Sequence, residues 1–371
     1  MKGRVIVLPH RPAHAALVVD GRLDDLLLQD AGAYRQPLPG EIWAAKLTRT
    51  VQGAAFVDLG GGHTGYLRDA KGLRPGADLA VQISATAEPG KAVPVDRRLL
   101  IKGRTLILTP GAPGVNVSRQ IKDPDERERL SAAFPDTPDD LGVIVRSAAR
   151  GITEDVLTAS FESLAKGLSK VQQLDQSQGL ILGTSDPQAV ALREWTIPIP
   201  EMIAATDAAQ EHLDWDAHPE VLEHDPDLAD ALRFGGGDPF DHFGVWDEIE
   251  KLKSPRADLP SGGWMAIEAT RAMVTVDVNT GDGFGGGDAM TANIEAAREL
   301  PRQLRLRGLG GQIVIDFAPL KKQHRKKLEE ELKRAFRKCP IETSLAGWTP
   351  LGSMELTRKR ERRPLTELLP D

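Results

Sequence analysis

The chain has 371 residues, 40% of them hydrophobic, a formal net charge of -7 and a single cysteine. That length allows roughly two to four modules with a substantial core, while a lone Cys339 excludes an internal disulfide framework and any Cys-Cys zinc site. No apolar stretch approaches a membrane span, and MKGRVIVLPHRP lacks the apolar length and cleavage pattern of a signal peptide, so a bacterial-type cytoplasm is the expected home.

In chain order, Val5 to Gln29 carries short apolar clusters around Gly21 (AALVVDGRLDDLLL) and predicts a hairpin. Pro37, Pro39 and Gly40 mark a boundary. From Glu41 to about Gly103, short strands follow one another closely, with Gly60-Gly61-Gly62 and Pro89-Gly90 as turns, the pattern of a small β-barrel. Arg104 to Asp186 mixes strands (TLILT, GVIVR) with helical stretches such as Glu154 to Val171. Pro187 to Pro255 reads as helical and acidic, with Gly235-Gly236-Gly237 in a loop. From Pro260 onward strands and helices alternate, as in an α/β or α+β module. Within it, GDGFGGGD (Gly281 to Asp288) lies between a strand and a helix but has no G-K-[ST], so it reads as a flexible loop rather than a phosphate loop. NIEAARELPRQLRLRGLGG predicts a helix that ends at Gly308 or Gly310 and kinks at Pro301; its basic face is either solvated or turned to phosphates.

The net charge hides a separation. Residues 201–258 hold 16 acids against 4 bases, whereas residues 302–363 hold 17 bases against 7 acids. Such asymmetry suits a polyanion partner, although KKQHRKKLEEELKR by itself also reads as a solvated helix face. The cluster His212, Asp214, Asp216, His218, His224, Asp225 and His242 follows no metal-ligand spacing and reads as an acidic surface.

Two runs carry the chemistry. In MVTVDVN, Val274, Val276 and Val278 share one face of a strand, and Thr275, Asp277 and Asn279 share the other. In GGQIVIDF, the apolar Ile313, Val314 and Ile315 lead straight into Asp316, the mark of a strand covered on both faces. A carboxylate in such a place requires a cation or a dense set of hydrogen bonds. Asp277 and Asp316, with the amide of Asn279, form a hard oxygen set for Mg²⁺ or Mn²⁺; the other reading is a pair of strand-end acids bonded to Arg or backbone amides. Phe56 and Tyr66, on barrel strands, are either core residues or a platform on which bases stack, with Lys91 available to a nucleic-acid backbone. Arg146 and Ser147, at the end of an apolar strand, can bind a terminal phosphate through the guanidinium fork and hydroxyl, or form a surface ion pair.

VDVNTG, NIEAARELPRQLRLRGLGGQIVIDF and MELTRKR, preceded in order by AAFVDLG, HTGYL and GVIVRSA, resemble the ribonuclease E/G family of bacterial endoribonucleases over nearly the whole chain. The resemblance implies an α+β multidomain protein. Its parts are an RNase H-like piece split between residues 1–39 and 187–258, an S1-like OB-fold barrel at 40–103, a 5′-sensor region at 104–186 and a DNase I-like α/β catalytic domain at 259–371. It implies a Mg²⁺-dependent endonuclease for single-stranded RNA, rRNA precursors and mRNA among them, that leaves 5′-phosphate and 3′-hydroxyl ends. The metal-binding aspartates fall on Asp277 and Asp316, and Asn279 takes an orienting role. The stacking aromatics correspond to Phe56 and Tyr66, the barrel lysine to Lys91, and the 5′-monophosphate pocket to Arg146 and Ser147, with Gly103 and Ile107 beneath. A hydroxyl is kept where Ser147 replaces the family's threonine. The family's Cys-Pro-x-Cys zinc link and arginine-rich tail have no counterpart, so zinc is not expected; a homo-oligomer stays open, but not one built on that link. The loop after Asn279 is short, glycine-rich and without the family's basic residues, which leaves a non-catalytic RNA-binding relative as the alternative.

Overall fold

Asp20 and Gly21 turn the chain between the strands Ala15–Val19 and Arg22–Leu27, the hairpin expected there. The protein is described here by a computed structural model covering residues 4–8, 14–29, 36–88, 90–135, 137–174, 177–183, 186–195, 201–205, 232–235, 237–281 and 289–369. It is a mixed α+β chain of two units, one of Met1–Arg22 with Leu27–His242, the other of Leu23–Leu26 with Phe243–Asp371. No helix among the described residues is long and apolar enough to cross a membrane.

In the first unit, Ile42–Val51, Ala54–Gly60, His63–Leu67, Val93–Asp96 and Asp78–Ile83 pair in that order. Pairing of Ile42–Val51 with Asp78–Ile83 closes the barrel. Period-two alternation sends Trp43, Leu47, Val57, Leu59, Val81 and Val95 inward, each large aliphatic contributing about 1.5–3 kcal/mol by leaving water. A second sheet, ordered Gly114–Val117, Leu141–Val145, Leu106–Pro110 and Ile101–Lys102, packs under the helix Glu154–Gln172. The region read as helical after Pro187 also contains two strands: Glu201–Ala205 and Leu232–Gly235 join Arg4–Leu8 in parallel. Their partner lies far away in the chain, so no local period announces them. Of the acidic His-Asp cluster, only His242 lies within the described residues, and residues 282–288 of the glycine-rich loop lie outside them.

The second unit is a six-stranded sheet in the order Arg256–Asp258, Trp264–Ala269, Val274–Asn279, Gly311–Asp316, Met354–Arg358, Thr343–Trp348. The helices Ala289–Leu306 and Arg325–Arg337 cover one face, where Ala292, Ala296, Leu300, Leu304, Leu328 and Leu332 meet Val274, Val276, Ile313 and Ile315. The first helix continues through Pro301, which is buried, and stops at Leu306. Gly308 takes a left-handed φ of 66° and Leu309 N–H bonds back to Leu304 O, so glycine supplies the C-terminal cap. The same unit buries a charge cluster. Arg362 forks onto both carboxylate oxygens of Asp25, and Arg305 approaches Asp25 at 3.5 Å and Asp24 at 3.0 Å.

Candidate active site

Val274–Asn279 and Gly311–Asp316 are parallel neighbours joined by the helix Ala289–Leu306, and their register places Asp277 directly beside Asp316. Side chains at paired positions leave the same face, with Cα atoms about 4.8 Å apart. Asn279 Nδ2 donates to Asp277 Oδ2 at 2.8 Å. The two aspartates and the asparagine therefore converge at the carboxyl ends of two parallel strands, where open α/β sheets place their ligands.

Burial corrects the sequence reading. Asp277 and Asp316 are exposed, and Val314 is half-buried, so Gly311–Asp316 is covered on one face only. The helices cover the valine and isoleucine side of the sheet, and the acids stand on the other side. What remains unpaid is like-charge repulsion rather than desolvation, because facing carboxylates on adjacent strands oppose each other. Among the described residues the one side chain bonded to the pair is the neutral amide of Asn279. Two uncompensated carboxylates and an amide oxygen, with no nitrogen or sulfur ligand, fit a hard divalent cation such as Mg²⁺ or Mn²⁺.

Residues that the sequence reading passed over hold these strand ends. Asn293, fully buried on the crossover helix, accepts from Ala318 N–H at 3.0 Å and donates to Ala318 O at 2.9 Å. It thereby pins the chain two residues beyond Asp316. A polar residue on the same helix stripe as Ala296, Ala297, Leu300 and Leu304 was the available signal. Beyond Asn279, Gly281 has a φ of 79°, and a Cβ there would collide with the Gly262 carbonyl. Asn293→Ala should cost about 1–3 kcal/mol, since it strands two buried backbone groups. Urea melts should show that loss.

On the barrel, Arg49, Phe56 and Tyr66 stand in one row across three strands. The rings of Phe56 and Tyr66 lie 5.4 Å apart and the Arg49 guanidinium sits 4.3 Å above Phe56. Phe56 is half-buried and Tyr66 is 36% exposed, both on the outer face between inward-facing neighbours. Arg49 was not anticipated, because its place in the row follows from a register shift in its strand. Lys91 pairs with Glu88 at 2.5 Å, its side chain exposed.

Arg146 follows Leu141–Val145 and is half-buried, in an ion pair with Glu194. It donates to Gly103 O at 2.6 Å, to Arg193 O at 2.9 Å and to Glu194 Oε2 at 3.0 Å. Burial lowers its pKa, and Glu194 acts in the opposite sense. Gly103 and Ile107 lie close by: Gly103 N–H bonds Leu106 O, and Ile107 pairs with Lys102 and Ile144. Ser147 opens the short 3-10 turn Ser147–Ala149.

A family model described as the Ribonuclease E/G family matches residues 100–361. Ribonuclease G of Escherichia coli (strain K12) is 31% identical over 90% of this chain and 75% of its own. Ribonuclease G of Haemophilus influenzae is 30% identical over 96% of this chain and 79% of its own. Ribonuclease E of Synechocystis sp. is 32% identical over 80% of this chain and 46% of its own.

Proposed function

The chain belongs to the Ribonuclease E/G family, and on that premise we propose that it is an endoribonuclease, cutting single-stranded RNA with a divalent cation and leaving 5′-phosphate and 3′-hydroxyl ends. The observation that carries the reading is the in-register pair Asp277 and Asp316, with Asn279 beside them and no cationic partner among the described residues. Asp277 and Asp316 would hold Mg²⁺, or Mn²⁺ in its place, through their carboxylate oxygens. When bound, such a cation lowers the pKa of a coordinated water and offsets charge gathering on the phosphoryl oxygens. Asn279 holds one Asp277 oxygen at a set angle, so the carboxylate does not have to reorganise during the reaction.

The barrel row receives RNA: bases stack on Phe56 and Tyr66, with Arg49 adding a cation to the stack, and Lys91 meets a backbone phosphate. Arg146 and Ser147, over Gly103 and Ile107, receive a 5′-monophosphate end. On the same premise, residues 40–103 are the S1-like domain, 104–186 the sensor region, 1–39 with 187–258 the RNase H-like piece, and 259–371 the DNase I-like catalytic domain. Substrates are rRNA precursors and mRNA in the cytoplasm.

The test is a short, end-labelled single-stranded RNA incubated with the protein in Mg²⁺, in Mn²⁺ and in chelator. Cutting is expected with either cation and not in chelator, with products bearing 5′-phosphates, and a DNA of the same sequence should stay whole. RNA that is retained in a gel shift yet never cut in either cation would identify a binding protein and reject the enzyme.

A further inference from the structure

The cation pocket around Arg146 already contains an anion. Glu194, the last residue of the helix Pro187–Glu194, places Oε2 at 3.0 Å from Arg146, and Oε1 at 3.1 Å from Arg193 and 3.7 Å from Lys102. We infer that Glu194 is an internal stand-in for the terminal phosphate, and that it determines how far this protein distinguishes a 5′-monophosphate from a 5′-hydroxyl end. This rests on the reading of Arg146 as the terminal-phosphate residue.

Charge, geometry and placement support it. Among the described residues one carboxylate faces three cations, so positive charge is in excess there. A phosphate monoester, with about -1.5 to -2 charges, neutralises it more fully. Arg146 spends two N–H groups of one nitrogen on the carbonyls of Gly103 and Arg193, which fix the guanidinium; the bond to Glu194 comes from the other nitrogen. Exchange of Glu194 for a phosphate oxygen therefore leaves the arginine in place. The Glu194 side chain is 30% exposed against 15% for Arg146, so the carboxylate lies on the solvent side of the pair. An acid at a helix C-terminus also opposes the helix dipole, so helix stability does not account for the residue. Burial works against ionisation of Glu194, but Lys102, Arg146 and Arg193 outweigh it and hold the carboxyl below its ordinary range, so the anion persists at neutral pH.

The experiment compares kcat/KM on one RNA carrying either a 5′-monophosphate or a 5′-hydroxyl, for the parent protein, Glu194→Gln, Arg146→Ala and the double variant. Glutamine keeps the size and one acceptor oxygen while removing the charge. The phosphate-to-hydroxyl ratio should rise about tenfold or more in Glu194→Gln, as expected when a charged hydrogen bond is released to the ligand. It should return to near one in the double variant, and Glu194→Ala should shift it in the same direction as Glu194→Gln. Cutting of the hydroxyl substrate reports that each variant is folded. If Arg146→Ala removes a preference that Glu194→Gln leaves unchanged, the role of Glu194 is overturned and the sensor stands. If neither substitution moves the ratio while RNA is still cut, both fall and the endonuclease reading survives.

Discussion

Asp277→Asn and Asp316→Asn should each reduce RNA cleavage by about a thousandfold or more, equivalent to about 4 kcal/mol of lost transition-state stabilisation, while RNA affinity changes by less than about threefold. Asparagine preserves shape, so such a loss would isolate the carboxylate charge proposed to hold the cation. The two positions are paired on the open face of the sheet, and no core contact depends on them. Removing one member also relieves repulsion between facing carboxylates, so the melting temperature should hold or rise slightly, as is common where a site is kept at the expense of stability. Single-turnover cleavage in Mg²⁺, gel-shift affinity in chelator and a thermal melt distinguish the outcomes. A variant that cuts at the parent rate would show that these acids hold no catalytic metal.

The second large effect concerns stability. Asp25 is 3% exposed, and Asp25→Ala leaves Arg362 and Arg305 without the carboxylate between them. Breaking a buried pair from one side costs about 3–5 kcal/mol, because the remaining charge stays desolvated. The urea midpoint should fall accordingly. Burial raises the pKa of Asp25, and Arg362 and Arg305 outweigh it, so the folded value lies below the ordinary 3.8. For a depressed carboxylate the stabilisation is present above the unfolded pKa and is lost as pH falls through the folded one. The parent should therefore lose stability as pH drops below about 4, and Asp25→Ala should lose less over the same interval. Equal acid slopes in the two proteins would remove Asp25 as the cause.

Much of the fold was legible because it is written at short range. The Asp20-Gly21 turn, the barrel alternation and the glycine that ends the crossover helix each depend on a few neighbouring residues. The pairings of Glu201–Ala205 with Arg4–Leu8 and of Leu232–Gly235 with Glu201–Ala205 do not, and the helical reading of that region missed them. The site shows the same division. Period two placed Asp277 and Asn279 on one face, but whether that face was covered depended on where two helices came to rest. A buried pair of acids became an exposed pair for that reason.

The sequence by itself singled out Asp277, Asn279 and Asp316 as the candidate site and pointed to the family the chain belongs to, because side-chain type and strand period are properties of a short window. Only the tertiary structure decided that Asp277 and Asp316 share a register, that Asn293 pins Ala318, that Glu194 accepts from one nitrogen of Arg146 and that Arg362 closes on Asp25. Each of these joins residues distant in the chain, and such contacts form only when packing of the apolar faces sets the relative positions of whole elements.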